Sequence, residues 1–480
     1  MSTDKTVITG GPIITMDGTY GDLPQGAILI EGDSIVAVTA NADDFAGVDA
    51  QRIDTAGGYI LPGLIDSHRY TWMALLRAIS ADQSLMQFLA TTFYGIGSIM
   101  RPEDAAAASM VGALEALDAG VTTIFDCHDC VNSPDHARAD VEALRASGIR
   151  SVYAYGMQAY DYQPPAFHSH GERLADAARL RAEHFGSDND LSRMAMLYSD
   201  FGILPFEETA AEIRAVRDLG IVGASHTGAA TSSILLRGLR ELNDRELLLP
   251  GHLHIHCPAL HDWEWQLIAD TGGKVTIAPE TEMQMGMGHP PFRAALDHGL
   301  APGISTDIVC VGSGDLFSQL RIGLQFQRCL DHDATHARGT MPATVGLGVR
   351  DALTWATHNS ADVIGLGDVV GSLTPGKKAD VIVVRPRMDL VRSSYPLGSV
   401  VLQSTAADVD TVLVNGVVRK RHGALVGYDL DAVRRNANAA LDRIEKAAAA
   451  LPAYTDQEVY GWFTQAERSA SANFARAYQQ

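Results

Sequence analysis

Four short stretches of the 480-residue chain carry residue types that bind a divalent cation or move protons. The first is Asp66-Ser67-His68-Arg69-Tyr70. The second ends Val222-Gly223-Ala224-Ser225-His226. The third is His252-Leu253-His254-Ile255-His256-Cys257, and the fourth is Ser305-Thr306-Asp307. Imidazole and carboxylate donors suit zinc or iron, and an open position in such a ligand set would hold a reactive water. A lone histidine at the end of a strand is most often a structural hydrogen-bonding residue. Ligand-type residues at four matching ends point instead to one shared cation.

Such chemistry needs a frame that brings four distant strand ends together. Eight strand-like cores are readable in the middle of the chain: 63–66, 122–126, 151–155, 194–198, 222–226, 252–257, 274–277 and 301–305. Most are separated by helical patterns such as Arg101 to Ala119, Arg138 to Ser147 and Glu207 to Leu219. Parallel strands with crossover helices over this length predict an α/β fold, a (β/α)8 barrel over 61–365, with chemistry at the C-terminal ends of its strands. Residues 71–100 exceed a short loop and are predicted to form a lid over the barrel mouth. Both flanks are strand-rich, with Gly- and Asp-containing turns. Asn415-Gly416 between two apolar runs is a hairpin signal. We therefore expect one small β-sandwich built from residues 1–60 and 366–428, followed by a helical tail over 429–480.

Charge and composition narrow the partners. The chain has 37 Lys and Arg against 58 Asp and Glu, a net charge of −21. Such a surface repels nucleic acid and anionic membrane. No run of about 18 apolar residues is present, which excludes a spanning helix from the expected organisation. The first residues lack the pattern of a signal peptide, and five cysteines are too few for a disulfide scaffold, so a reducing cytoplasm is the expected compartment.

Several further residues could face a substrate. Glu280 and Glu282 follow the seventh strand core, with His289 beyond. His128 lies in Cys127-His128-Asp129-Cys130, whose cysteines lack the second pair of a zinc site and read as loop residues, leaving His128 to face substrate. Trp72, Met73, Phe88, Phe93 and Tyr94 read as packing, with one or two of them, Trp72 among these, available to line a pocket for a flat, partly apolar ring. Gly286-Met287-Gly288 lacks the surroundings of a phosphate loop.

At this point the chain resembles the amidohydrolase superfamily, in its cytosine-deaminase-like and triazine-chlorohydrolase-like branch. The resemblance rests on Ile60-Leu61-Pro62-Gly63-Leu64-Ile65-Asp66-Ser67-His68, on Gly120-Val121-Thr122-Thr123, on Ser305-Thr306-Asp307 with Gly314 to Arg321, and on Gly371 to Asp380. It implies a hydrolase acting on a carbon–nitrogen, non-peptide bond of a small cyclic molecule, of deaminase or chlorohydrolase type, through a metal-activated water. It implies one divalent metal, Zn or Fe, held by His68, His226, His256 and Asp307, with Asp307 also relaying protons. It implies a homodimer.

The family pattern is broken in two places. Its His-x-His would put a second histidine at position 70, where this chain has Tyr70. A phenol is a poor neutral ligand unless the metal deprotonates it. The proton-shuttling Glu that the deaminases place three residues after the strand-five histidine is here Ala229. Glu282 is the expected replacement, with Tyr70 and His256 as further catalytic residues. His252 and His254 are expected deeper in the barrel as structural residues. Two alternatives stay open: a metal-independent lyase, cyclase or dehydratase using Tyr70 as a proton donor, and an inactive homologue.

Overall fold

A computed structural model describes residues 4–229, 238–388 and 390–474. The first three and last six residues, which include the end of the expected tail, lie outside the described residues. The N-terminal strands are β1 (Lys5–Thr9), β2 (Ala27–Glu31), β3 (Ser34–Thr39), β4 (Gln51–Asp54) and β5 (Tyr59–Pro62). The middle of the chain supplies β6 (Leu64–Arg69), β7 (Val121–His128), β8 (Arg150–Gly156), β9 (Ser192–Leu197), β10 (Val222–Thr227), β11 (Leu253–His256), β12 (Lys274–Ile277) and β13 (Gly303–Ile304). Beyond it come β14 (Val381–Val384), β15 (Val409–Val414), β16 (Val417–Arg421) and β17 (Ala424–Leu425).

Strands β6 to β13 are parallel and hydrogen-bonded in sequence order, with helices between them, forming the predicted (β/α)8 barrel. The alternation of side chains is visible in β8. Val152 and Ala154 join Ile65, Phe125, Ala195 and Ile255 in the barrel interior. Tyr153 and Tyr155 point outward among Leu144, Leu180 and Phe185 of the helix layer. The barrel closes where β6 meets the residues after β13. Asp307 N–H donates to His68 O and Tyr70 N–H to Asp307 O, both at 3.0 Å. The eighth strand is only two residues long, shorter than its apolar run predicts, because the chain leaves regular strand geometry before Asp307 (φ +60°).

The two chain ends meet in the sandwich. One sheet runs β3-β2-β1-β4; the other runs β17-β16-β15-β14-β5, pairing β5 with β14 from more than 300 residues away. Ile8, Ile28, Ile30, Ile53, Ile60, Val381 and Leu413 bury a common core between them. The Asn415-Gly416 turn joins β15 to β16 with both residues at positive φ (53° and 77°), as a tight hairpin requires. The tail begins with helix Leu430–Ala448, whose Ala440 and Ile444 are buried and whose Arg443 pairs with Asp104 of helix Pro102–Asp118. No described helix is long and apolar enough to cross a membrane.

One buried ion pair joins sandwich to barrel. Arg150 Nε and Nη2 each donate to Asp380 at 2.9 Å, and Asp380 also accepts Asn415 N–H at 2.8 Å. Burial disfavours the Arg150 charge, but Asp380 more than offsets this and raises its pKa above the ordinary value. Asp380→Ala leaves a buried guanidinium without its partner and should cost about 3–5 kcal/mol. Chemical denaturation followed by circular dichroism measures this; an unchanged midpoint would remove the pair from the stabilising contacts.

Candidate metal centre

The first barrel strand delivers His68, and the closing bonds put Asp307 directly beside it. His68 Nε2 lies 3.0 Å from Asp307 Oδ1, and His256 Nε2 lies 3.8 Å from Asp307 Oδ2. Ligand atoms of His68, His226 and His256 all lie within 4.8 Å of one another. The structure thus gathers residues from β6, β10, β11 and the segment after β13 at the C-terminal mouth of the barrel. Asp66 secures the last segment: it accepts Thr306 N–H at 3.0 Å and the Thr306 hydroxyl at 2.5 Å, while Arg69 donates to Thr306 Oγ1 at 3.0 Å.

Backbone strain aims two of these side chains. His256 (φ +75°), Cys257 (φ +66°) and Asp307 are non-glycine residues in the left-handed region, which costs on the order of 1–3 kcal/mol each. The turn at His256 has a further effect. Regular alternation predicts His252, His254 and His256 on one face. Instead His252 bonds Ser225 (2.7 Å) and packs on Tyr198, and His254 bonds Thr227 (3.0 Å); both belong to the helix-layer side. They are not deeper residues of the barrel interior, because the positive φ swings only His256 inward.

Each imidazole is held from behind. His68 Nδ1 is 3.0 Å from Cys127 Sγ, His226 Nδ1 donates to Asp200 Oδ1 at 2.8 Å, and His256 Nδ1 is 3.2 Å from Glu282 Oε1. Such contacts set which ring nitrogen faces a metal. Burial drives the His256 pKa down to about 3, which favours the neutral ring that a metal ligand requires. Burial tends to raise Asp307, but the field of His68, with His256 and His226, outweighs it and holds the carboxylate below its usual value. At His226, burial opposes the charge, yet Asp200, with Asp129 and Asp307 beyond, raises its pKa to about 9.

Tyr70 occupies the mouth beside these groups. Its hydroxyl is hydrogen-bonded to His226 Nε2 at 2.6 Å, and burial pushes the phenol well above its ordinary range. It is therefore a neutral phenol bonded to the nitrogen that would otherwise face a cation. The donor set still fits one. His68 Nε2 is buried and, despite its closeness to Asp307, is not aligned to hydrogen-bond with it. A cation between His68, His256 and Asp307 would satisfy that nitrogen and neutralise the carboxylate, and enlisting His226 requires its bond to Tyr70 to break.

The cavity above the site is lined by Tyr70, Asp200, His226, His256, Thr281 and Asp307 on its polar side. Leu85, Phe88, Leu89, Phe93, Met285, Met287 and Ile308 line its apolar side. Four of these come from residues 71–100, where helix Leu85–Phe88 and the π-wound segment Leu89–Ile96 cover the mouth. The cavity is small, about 60 Å³. A larger groove of about 700 Å³ runs along the sandwich near Gly10–Ile14 and Tyr395–Leu397, but it carries none of the clustered ligand residues.

Other sequence-predicted residues lie elsewhere. Glu282 is fully buried behind His256 and orients it from there; it does not line the cavity. Trp72 is wholly buried against Phe93 and Tyr160, one layer below the lining. His128 faces the helix layer beside Asp140, because Cys127 takes the inward position of the alternation. His289 is exposed, with its ring against Phe326. Asp200 was absent from the predicted site, although an acidic residue just past the fourth barrel strand is the available signal. Asp129, raised to about 7 chiefly by burial, sits near Tyr70 and His226.

These features gather metal-ligand-type residues at the strand ends of a (β/α)8 barrel. The chain belongs to the amidohydrolase family, whose model matches residues 59–419. It is accordingly a hydrolase of the class that acts on carbon–nitrogen bonds other than peptide bonds. A curated relative is the 5-methylthioadenosine/S-adenosylhomocysteine deaminase of Bacillus cereus (strain AH820), 27% identical over 426 residues, covering 86% of this chain and 93% of the relative. Among solved structures, an adenosine deaminase from Xanthomonas campestris with bound zinc superposes with a TM-score of 0.80 at 22% identity, covering 93% of this chain and 99% of that one. An atrazine chlorohydrolase from Arthrobacter aurescens TC1 complexed with zinc gives 0.76 at 22% identity, covering 91% and 100%. At these identities the two structures establish the fold.

If Asp200 sets the orientation of His226, Asp200→Ala should weaken zinc binding by about 10–100-fold. Competition against a chromophoric chelator reads this directly, and wild-type affinity in the variant would show that Asp200 has no part in holding His226.

Proposed function

We propose that the protein hydrolytically removes an exocyclic amino group, or chloride as a second leaving group, from a flat nitrogen heterocycle. The convergence of His68, His226 and His256, with Asp307 beside the first and the last, carries this reading. The ligand set suits zinc or iron. When bound, such a cation supplies Lewis-acid polarisation and lowers the pKa of water toward neutrality.

The chain's own residues supply the rest. Asp307, held ionised among three imidazoles, is placed to take a proton from water and return it to the leaving group. Tyr70, a neutral phenol in the cavity wall, can donate a hydrogen bond to a ring nitrogen or leaving group, a task left open by Ala229. Phe88, Phe93, Met285 and Met287 offer apolar surface to a ring. The names of the relatives, acting on adenosine-type and triazine substrates, agree with such a ring. A cavity of about 60 Å³ falls below the roughly 150 Å³ that holds benzene. Residues 85–93 must therefore move outward to admit substrate.

The Tyr70–His226–Asp200 chain favours one second reading, acid–base chemistry without a cation, because Tyr70 already occupies His226 Nε2. In either case the proposed setting is a reducing cytoplasm, supported by five unpaired thiols, with a homodimer as the working form.

Ammonia release from 5-methylthioadenosine, S-adenosylhomocysteine and adenosine, and chloride release from atrazine, are the assays. On a turned-over substrate, exhaustive chelation should abolish activity and zinc or iron should restore it, and Asp307→Asn should lower kcat by about 10²–10⁴-fold. Full turnover after chelation would replace this mechanism with the cation-free one.

A further inference from the structure

A second cluster of ligand-type residues lies outside the barrel wall, behind the strand that carries Cys127. Asp126 and His128 project from β7 toward the helix layer, and Asp140 reaches them from helix Pro134–Ser147. All three are completely buried. One ligand atom of each lies within 4.8 Å of the others.

The hydrogen bonding in this patch is half complete in a specific way. Asp126 Oδ1 accepts Thr71 N–H at 3.0 Å and the Thr71 hydroxyl at 2.7 Å. Asp140 Oδ1 accepts the Ser109 hydroxyl. Neither Oδ2 accepts from a third residue, the two carboxylates lying close enough to share one proton between them, and neither nitrogen of His128 nor the hydroxyl of nearby Tyr153 has a hydrogen-bond partner. His128 Nδ1 and Asp140 Oδ2 lie 3.3 Å apart without the alignment of a hydrogen bond. Ligands about 2.0–2.1 Å from a tetrahedral zinc sit about 3.3 Å from each other, so this spacing suits two donors sharing an ion. Leaving a buried polar atom unsatisfied is costly, because it has given up water without gaining a partner. No Lys or Arg among the described residues is in ion-pair contact with either carboxylate, and Arg69 acts on Asp126 only from a longer distance. Buried carboxylates in that position take up a proton, pair with a cationic side chain or coordinate a metal.

We propose that Asp126, His128 and Asp140 form a second divalent-cation site, of a zinc or manganese type, separate from the one at the barrel mouth. Two carboxylates balance the charge of the ion. Thr71 and Ser109 hold the oxygens that do not bind it, the arrangement that orients ligands around a metal. Cys127, between two of the ligands, points to the opposite face of β7 and meets His68 of β6 there. The ion would also anchor Thr71, the first residue of the lid, through Asp126.

The test uses the full chain loaded with Zn²⁺. Diffraction at the zinc edge should give an anomalous peak about 2.0–2.2 Å from Asp126, His128 and Asp140. In solution, Asp140→Asn should lower bound zinc by about one equivalent per chain, and His128→Gln should do the same. Ordered water, or a proton shared between the two carboxylates, with no anomalous peak would overturn the proposal. So would unchanged zinc content in both variants. Position separates this from the site at the mouth: a peak here and none at His68 supports the second site while removing the proposed hydrolytic centre, and the reverse result does the opposite.

Discussion

Barrel closure and assembly of the candidate site are the same contact. Asp307 donates its N–H to His68 O and accepts Tyr70 N–H, joining the first strand to the segment after the last. Its side chain then lies between His68 and His256. Left-handed backbone at Asp307 and His256 is unfavourable locally, and the surrounding bonds to Asp66, Arg69 and Thr306 hold it in place. Eight strands must pair in order before these residues meet, so the site is a property of the whole barrel.

Around the imidazoles, specificity of orientation comes from residues that are not ligands. Cys127, Asp200 and Glu282 each engage a ring nitrogen from behind. The carboxylates at the mouth lie in low-dielectric surroundings, where charge interactions act strongly and unpaired charge is costly. Tyr70 adapts to that field by staying neutral and bonding His226. A phenol at this position makes a site whose fourth imidazole is absent and whose hydroxyl engages His226 instead.

The lid couples the mouth to the rest of the chain. Leu85, Phe88, Leu89 and Phe93 form its apolar underside. Its outer side is braced by helix Asp456–Asn473, through Gln87 to Asp456 at 3.1 Å and Tyr94 against Trp462. Any outward movement of this segment would therefore disturb contacts with the C-terminal helix as well as those over the cavity.

Residue order alone determined the repeating strands and helices, because buried strands require apolar runs and the turns between them require Gly, Asn or Asp. It also determined that His68, His226, His256 and Asp307 stand at strand ends, where a closed parallel barrel brings side chains together. Tertiary structure alone decided which face each side chain takes. Regular alternation predicts a common face for His252, His254 and His256, yet a positive φ separates the last from the others. His128 turns away from the cavity, since its neighbour Cys127 occupies the inward position. Asp200 and Glu282 acquired their places through contacts between strands that are remote in the chain. Such contacts depend on backbone direction and on what packs opposite, and neither is written in local spacing.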